Sequence, residues 1–299
     1  MSHLTSLIRR DIKIFYRTKG NIIFASLSVV ILVVLHFVIF QRMYTDNWEQ
    51  IVAQFHGIFV ERTDLQWIVD SLMFSAILPI GALTISLTAL GLMVEDKGKN
   101  VLSDFMVSPI RRSSLLASYL ISSFVVGFVI LLGFIAFFQV YFLAVYGAWF
   151  SLVQFGLLLL VTVGALVFSN VFILLLISFV KSTQSLGAVG VIIGTLMGFL
   201  SGAYIPIGMF GYTVGNIFSA MPFLQMTVLA RQAFLLELAS VTPLTHDMIS
   251  GEIARSFGIE LWLGGTHIPV WGAALISGGI TIVLLIGLMI RFAKMKKAD

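Results

Sequence analysis

The sequence contains no cysteine, and charged residues make up only 11% of its 299 positions. The absence of cysteine excludes disulfide bridges, thiolate metal sites and cysteine nucleophiles. The small charged fraction excludes intrinsic disorder, which combines high charge with low hydrophobicity, and a soluble globular domain, which carries about 25% charged residues. Hydrophobic residues make up 59% of the chain, and 26 residues are Phe. This composition is typical of a polytopic membrane protein.

Long stretches without a charged residue predict where the chain crosses the membrane. A bilayer core takes about 20 helical residues, and a charge at its centre costs several kcal/mol. The third and fourth spans share one uncharged stretch, which we divide near Gly147 because aromatic residues of the membrane interface flank it. We predict an all-α polytopic membrane protein with six transmembrane helices, over residues 21–41, 71–94, 113–145, 150–180, 185–205 and 270–290.

The distribution of basic residues predicts the topology. With six spans, the basic residues before span one, between spans two and three, at Lys181 and after span six lie on one side of the membrane. The positive-inside tendency makes that side the cytoplasm, so both termini are expected there. A seventh span would move the basic C-terminus outside. We therefore interpret residues 206–236, with Pro206 and Pro222, as a re-entrant helical hairpin between spans five and six, and residues 237–269 as an outer loop.

The segment before the first span has an amphipathic pattern. Basic residues occupy one side of a helix over residues 1–20, and apolar residues recur at helical spacing on the other side, at Leu4, Leu7, Ile8, Ile12 and Phe15. The pattern predicts an N-terminal amphipathic helix that lies in the membrane interface. The alternative is a basic anchor that serves only to set the topology.

The chain lacks the motifs of an enzyme or of a self-powered pump. It has no phosphate-binding loop of the form G-x-x-x-x-G-K-[ST], and its five His lie far apart, so no nucleotide or metal site is visible. His36 is the one ionisable residue inside a predicted span, and we interpret it as a hydrogen-bonded structural residue. Glu61, Asp64 and Asp70 are expected in a solvated outer loop over residues 42–70. Energy for transport then has to come from another subunit.

Residues 95–120, between spans two and three, resemble the first cytoplasmic loop of the ABC transporter type-2 permease family. The charged opening of that loop matches residues 95–98, and its end matches residues 107–112. The resemblance implies that residues 95–112 form a coupling loop, which docks on a separate ATPase. The residues that it implies for this coupling are Glu95, Asp96, Lys97, Gly98, Lys99, Asp104, Phe105, Pro109, Arg111 and Arg112. The alternative is an ordinary solvated loop, because charges and a proline flank many spans.

A second segment extends the resemblance to nearly the whole chain. Residues 201–234 are similar to the part of antibiotic-resistance and drug export permeases that follows the fifth span. The matching positions of the re-entrant hairpin and its approach are Ser201, Gly202, Pro206, Pro222 and Arg231. The long connection over residues 239–268 and the large first outer loop depart from the family, and they leave the substrate class open.

Span five carries glycines at intervals of four residues, at Gly190, Gly194, Gly198 and Gly202. Three consecutive G-x-x-x-G steps predict a helix face against which another backbone packs closely. The partner is either another span of the same chain or a second permease copy. In the family that the chain resembles, spans one and five lie near the interface between two permeases.

The resemblance implies the permease subunit of an ATP-driven ABC exporter in the cell membrane, with an apolar or amphipathic cargo such as a drug, a lipid-like toxin or an antimicrobial peptide. The chain itself is expected to hold no cofactor, because ATP and Mg would be bound by the partner ATPase. The implied partners are two ATPase copies, a second permease copy in a homodimer or a related heterodimer, and the lipid bilayer, but no nucleic acid. The alternatives are a lipid-linked polysaccharide exporter, a membrane-embedded lipid-modifying enzyme, and a sensor or scaffold.

Overall fold

The computed structural model describes residues 3–53, 61–101, 112–180, 182–236, 254–255 and 257–295. In these ranges the elements are α1 (His3–Arg17), α2 (Lys19–Leu35), a π-helical segment (His36–Phe40), α3 (Gln41–Val52), α4 (Arg62–Gly98), α5 (Arg112–Tyr146), α6 (Leu152–Ile177), α7 (Thr183–Leu200), a 3-10 segment (Ile207–Phe210), α8 (Gly211–Ala220), α9 (Pro222–Phe234), β1 (Leu261–Leu263), β2 (Thr266–Ile268) and α10 (Val270–Met295).

The described residues contain 6 helices that are long and apolar enough to cross a membrane: Lys19–Gln50, Arg62–Gly98, Ser113–Tyr146, Leu152–Ile177, Thr183–Leu200 and Val270–Arg291. A bent helix pair lies where the re-entrant hairpin was predicted, since Ile207–Ala220 and Pro222–Phe234 meet at an angle of 90°. Its break falls where Pro222 begins a helix, a position that tolerates proline because no backbone donor is lost there. The predicted fold class is confirmed.

The first outer loop is much shorter than predicted, because helices occupy both of its ends. The first span continues through α3 to Val52, and α4 begins at Arg62 rather than at residue 71. Arg62 donates to Glu49 at 2.5 Å and to Asp46 at 2.7 Å, so these charges pair across the two extensions. The expectation of a solvated loop over residues 42–70 was therefore wrong for the described part of that range.

Helix α4 lies at the centre of the bundle and packs against α2, α5, α6, α7 and α9. It has the highest buried share of the six candidate spans, at 72% of its most apolar stretch. Glycines permit the closest approaches to it, since a Cβ at Gly81 would lie only 2.8 Å from Leu131. A displacement of α4 would therefore reach most of the bundle.

The described part of the predicted outer loop contains a small β-hairpin. Strand β1 pairs antiparallel with β2, and Trp262 stands opposite His267. The two turn residues are Gly264 and Gly265, with φ of 59° and 83°. Such a turn needs positive φ at both positions, which glycine adopts without strain. We call the end of the bundle with this hairpin, α8 and α9 the hairpin end, and the opposite end, with α1 and the start of α5, the α1 end.

Candidate coupling site

Three elements meet through one buried carboxylate at the α1 end. Arg10 of α1 makes two parallel hydrogen bonds to Asp96 of α4, from Nη1 to Oδ2 at 2.8 Å and from Nη2 to Oδ1 at 2.9 Å. Tyr119 of α5 donates its hydroxyl to Asp96 Oδ2 at 2.6 Å. Asp96 is only 3% exposed. Paired, doubly bonded geometry of this kind is what makes a buried ion pair tolerable.

The local sequence places Arg10 where it can reach α4. The buried residues of α1 are Leu7, Asp11 and Phe15, which are spaced four apart and so form one stripe. Arg10 borders this stripe, and its hydrogen bond to Asp96 raises the pKa of the guanidinium further above its ordinary value. The guanidinium of Arg10 therefore stays charged at every physiological pH. Helix α1 is anchored to the bundle by this pair as well as by apolar packing.

A second carboxylate, that of Asp11, lies beside this ion pair, and its negative charge accepts fewer hydrogen bonds from the described residues. Asp11 Oδ1 accepts from Arg10 Nη1 at 3.0 Å, whereas Asp11 Oδ2 is buried and has no hydrogen-bond partner among the described residues. Burial raises the pKa of Asp11 from 3.8 to about 6, and the charge of Arg10 only partly opposes this rise. The proton affinity of this group is therefore higher in the packed helix than in a solvated one.

Helix α4 ends directly after this cluster. Lys99 N donates to Glu95 O at 2.9 Å to close the last turn, and Asn100 then adopts a left-handed φ of 59°. Asparagine is one of the few side chains that tolerate this conformation, which commonly ends helices. The chain thus leaves the bundle one turn beyond Asp96.

A second buried polar cluster, at the other end of the first span, was missed by the sequence prediction. Asp70 is fully buried, and its partners are His36 at 2.7 Å and the side chains of Gln41, Tyr141 and Tyr146. The prediction that Asp70 is solvated was wrong; Glu61 is exposed and Asp64 half-buried. His36 is hydrogen-bonded, as predicted. The signal was available, because a histidine within an apolar span needs a polar partner and Asp70 directly precedes the next apolar stretch.

Arg231 of α9 is the hub of the hairpin end. It is 2% exposed, and in the described part of the chain its guanidinium donates to the carbonyl oxygens of Leu72, Gly202, Phe257 and Gly258. These acceptors come from α4, from the turn after α7 and from the segment before β1. One side chain therefore fixes the position of the re-entrant hairpin against three parts of the fold.

The comparison with known protein families agrees with this all-α membrane fold. Residues 2–235 match the ABC-2 type transporter family. The chain belongs to this family. It is therefore the permease subunit of an ABC transporter, and such permease domains are membrane components that lack an ATPase site and associate with an ABC ATPase. No curated protein and no solved structure matched the chain.

The predicted coupling residues of this ABC-2 permease occupy different environments. Lys97, Gly98 and Lys99 are exposed, and Lys99 pairs with Glu95 at 3.2 Å. Asp96 faces α1 and α5 instead, so its side chain is not part of the exposed surface. Asp104, Phe105, Pro109 and Arg111 lie outside the described residues, as does the side chain of Arg112, which begins α5.

The glycine ridge of this ABC-2 permease is shorter than the sequence indicated. Helix α7 ends at Leu200, and Gly202 adopts φ of 66° in the turn that follows. Gly190 approaches Leu87 of α4, and Gly198 lies against the ring of Tyr204. A Cβ at Gly194 would meet no atom within 4 Å among the described residues. Part of the ridge therefore packs within the chain, and part of it is open.

The two prolines of the re-entrant hairpin flank its first half. Pro206 precedes the 3-10 segment, and Pro222 occupies the first turn of α9. Between them, the 3-10 segment and α8 place apolar residues such as Met209 and Tyr212 on the surface. The hairpin residues predicted from the sequence, Pro206, Pro222 and Arg231, thus belong to one structural unit.

Proposed function

We propose that this permease is the transmembrane subunit of an ATP-driven exporter, and that its partner ATPase docks at the α1 end. The observation that carries the proposal is the hydrogen-bonded cluster of Arg10, Asp96 and Tyr119. It lies one helical turn from the exposed Lys97 and Lys99 and joins that surface to three helices. A force on the docking segment would therefore act on α1, α4 and α5 together.

The mechanism that we propose is a coupling of two conformations. ATP binding and hydrolysis close and open the ATPase pair, and the docking segment follows that motion. Because α4 packs against most of the other helices, its displacement changes the packing of the bundle and alternates access to a path between spans. Coupling of this kind is a difference in binding free energy between two states, so it can be lost without loss of folding.

The proposed assembly contains two permease copies and two ATPase copies in the cell membrane, with both termini in the cytoplasm. The faces of α2, α7 and α10 support a second copy, because only 17–22% of their most apolar stretches is buried within the chain. Lipid and a second permease would cover these faces. Basic residues before the first span and after the last span support the orientation.

The proposed cargo is apolar or amphipathic, such as a drug, a lipid-like toxin or an antimicrobial peptide, with a lipid-linked polysaccharide as the alternative. The apolar lipid-facing surfaces support the first group. The full burial of Asp70 and His36 gives no support to the alternative of a lipid-modifying enzyme, because a substrate has no access to either side chain in this conformation.

The test measures separately the docking of the ATPase and the transmission of its motion to the helices. The permease is co-expressed with its partner ATPase, and co-purification and ATP hydrolysis with cargo are measured in lipid nanodiscs. We expect Lys97→Ala with Lys99→Ala to reduce co-purification. We expect Asp96→Asn to preserve co-purification but to reduce cargo-stimulated hydrolysis about tenfold, because the buried pair contributes on the order of 1 to 3 kcal/mol to holding α1 on α4.

The matched control is Arg42→Gln, which removes an exposed charge at the hairpin end. It should change neither measurement. Unchanged binding in the double lysine variant, together with unchanged coupling in Asp96→Asn, would refute the docking site at the α1 end.

A further inference from the structure

A cavity opens at the hairpin end between α8 and the β-hairpin. Tyr212, Asn216 and Ser219 line it from α8, Arg255 and Glu260 line it from the segment that leads into β1, and Trp262 lines it from β1 itself. Four of the twelve lining residues therefore lie beyond residue 235, where the family match ends. The family match assigns no role to these residues.

The walls of the cavity are held in place by specific contacts. Gly264 N donates to Asn216 Oδ1 at 3.0 Å, which fixes the turn of the β-hairpin against α8. Trp262 stands opposite His267 across the strand pair. On the α8 side, the lining includes Gly211 and Gly215, and a Cβ at Gly211 would meet no described atom within 4 Å. The space is thus bounded on one side by the braced β-hairpin and on the other by the glycine-containing face of α8.

Two side chains of opposite charge line this cavity, and each contacts a different part of the indole ring of Trp262. The Arg255 guanidinium lies over the face of Trp262, with Cζ 5.4 Å from the ring centroid. Glu260 Oε2 accepts from the indole N–H of Trp262 at 3.3 Å. Arg255 and Glu260 do not form an ion pair with each other. In the described part of the chain, the nearest basic group to Glu260 is His267, at 3.9 Å.

Opposite charges that share one cavity without pairing with each other suit a ligand that carries both signs. An anion alone would satisfy Arg255 but would face repulsion from Glu260, and a cation alone would have the reverse problem. The indole of Trp262 holds the two charged groups apart, with the guanidinium over its face and the carboxylate at its N–H. The chemistry therefore selects a zwitterion over a ligand of single charge.

The surroundings of the cavity indicate that this zwitterion carries apolar chains. Exposed apolar side chains lie on the adjoining 3-10 segment and α8, including Met209, Tyr212 and Ile217. Trp271 is 68% exposed at the start of α10, at the level where a span begins. Tryptophan at this position is typical of the membrane interface. A polar cavity beside such a surface lies at the depth of lipid headgroups.

We propose that this cavity binds the headgroup of a zwitterionic phospholipid, with its phosphate at Arg255 and its ammonium group at Glu260. The acyl chains lie along the exposed apolar side chains of the 3-10 segment and α8. The site goes beyond the proposed export function, since it requires neither the ATPase nor the cargo.

The test measures lipid retention by native mass spectrometry of the full chain in detergent. The probes are phosphatidylethanolamine and phosphatidylglycerol with identical acyl chains. We expect the wild-type protein to retain the zwitterionic lipid with about tenfold preference, and we expect Arg255→Gln and Glu260→Gln each to reduce its binding about fivefold. Arg42→Gln, which changes an exposed arginine away from the cavity, is the control and should bind as the wild type does.

Two further measurements test whether the two charges can exchange places and whether the acyl chains contribute to binding. The exchange variant Arg255→Glu with Glu260→Arg keeps both charges in the cavity, and we expect it to bind the zwitterionic lipid better than either single variant. Soluble glycerophosphoethanolamine has the headgroup without chains, and we expect it to compete at least about tenfold more weakly than the lipid. Thermal unfolding of each variant checks its folding.

Equal retention of the two lipids, or wild-type binding in both single variants, would overturn the proposal. Competition by the soluble headgroup at the affinity of the lipid would also overturn it, because the site would then recognise a free zwitterion. None of these results depends on ATP hydrolysis, so failure of the lipid site and failure of the export proposal are distinguishable.

Discussion

The buried carboxylate of Asp11 makes the packing of α1 dependent on pH. Its pKa in the folded protein is about 6, against 3.8 in a solvated chain, and burial is the main cause. The folded state therefore binds this proton more tightly than the unfolded state. The resulting stabilisation is complete below pH 3.8 and is lost as the pH rises through about 6.

We expect Asp11→Asn to be more stable than the wild type at pH 7.5, because it removes a buried charge that is only partly compensated. The advantage should shrink by about 1 kcal/mol on going to pH 5, where the wild-type side chain is largely protonated. Thermal unfolding of both proteins in detergent, at a series of pH values, measures this difference.

Asp46→Asn makes the same chemical change at an exposed site and is the control. A difference between Asp11→Asn and the wild type that stays constant from pH 5 to 7.5 would contradict a raised pKa at Asp11.

The partners of two buried residues could not be identified from the sequence. The partner of His36 was not identified, because Asp70 was counted as part of a solvated loop. Asp96 was assigned to the docking surface, since its neighbours Glu95 and Lys97 are charged and a sequence does not show which of three consecutive side chains points inward. Its partner Arg10 is distant in the chain, and only the packing of α1 on α4 brings them together.

At the scale of elements, the helices and the re-entrant hairpin were predictable because charge is excluded from the bilayer core and proline ends helices. The ends of the first two spans were not. Charges in residues 42–70 indicated a loop, whereas Arg62 pairs with Asp46 and Glu49 and allows both helices to extend. The β-hairpin at residues 261–268 was missed although Gly264 and Gly265 provide a turn signal.

Some glycines of the bundle lie against a neighbouring helix and others face open space, so their substitution is expected to have different effects. Gly81→Leu would place its side chain against Leu131 and Val29, so we expect a loss of folding stability of about 2 kcal/mol or more. Gly194→Leu meets no neighbour within the described residues. We therefore expect Gly194→Leu to leave the stability of the single chain unchanged but to reduce association with a second copy.

Thermal unfolding and the fraction of dimer in detergent, from light scattering, distinguish the two variants. Gly133→Leu, at another position where a Cβ would meet no described atom within 4 Å, is the control for surface substitution. Unchanged dimer content in Gly194→Leu would remove the open part of the ridge from the proposed permease interface.

At the scale of the molecule, the uncharged stretches and the positions of the basic residues together were enough to predict six spans, and Pro206 and Pro222 indicated the hairpin. These are consequences of how poorly lipid solvates charge, which acts on each segment separately. The polar clusters that join segments follow instead from three-dimensional packing. The sequence therefore predicted the architecture better than the contacts through which the proposed coupling would act.

The proposed orientation can be tested on the whole molecule, because the natural sequence contains no cysteine and every introduced cysteine is unique. Lys97→Cys lies at the α1 end and Trp271→Cys at the hairpin end, and both positions are exposed. In intact cells, we expect a membrane-impermeant maleimide to label Trp271→Cys and to leave Lys97→Cys unlabelled until the cells are opened. The unmodified protein controls for background. Labelling of Lys97→Cys from outside would place the basic end of the bundle away from the cytoplasm, where no ATPase has access to it, and the proposed coupling would fail with the orientation.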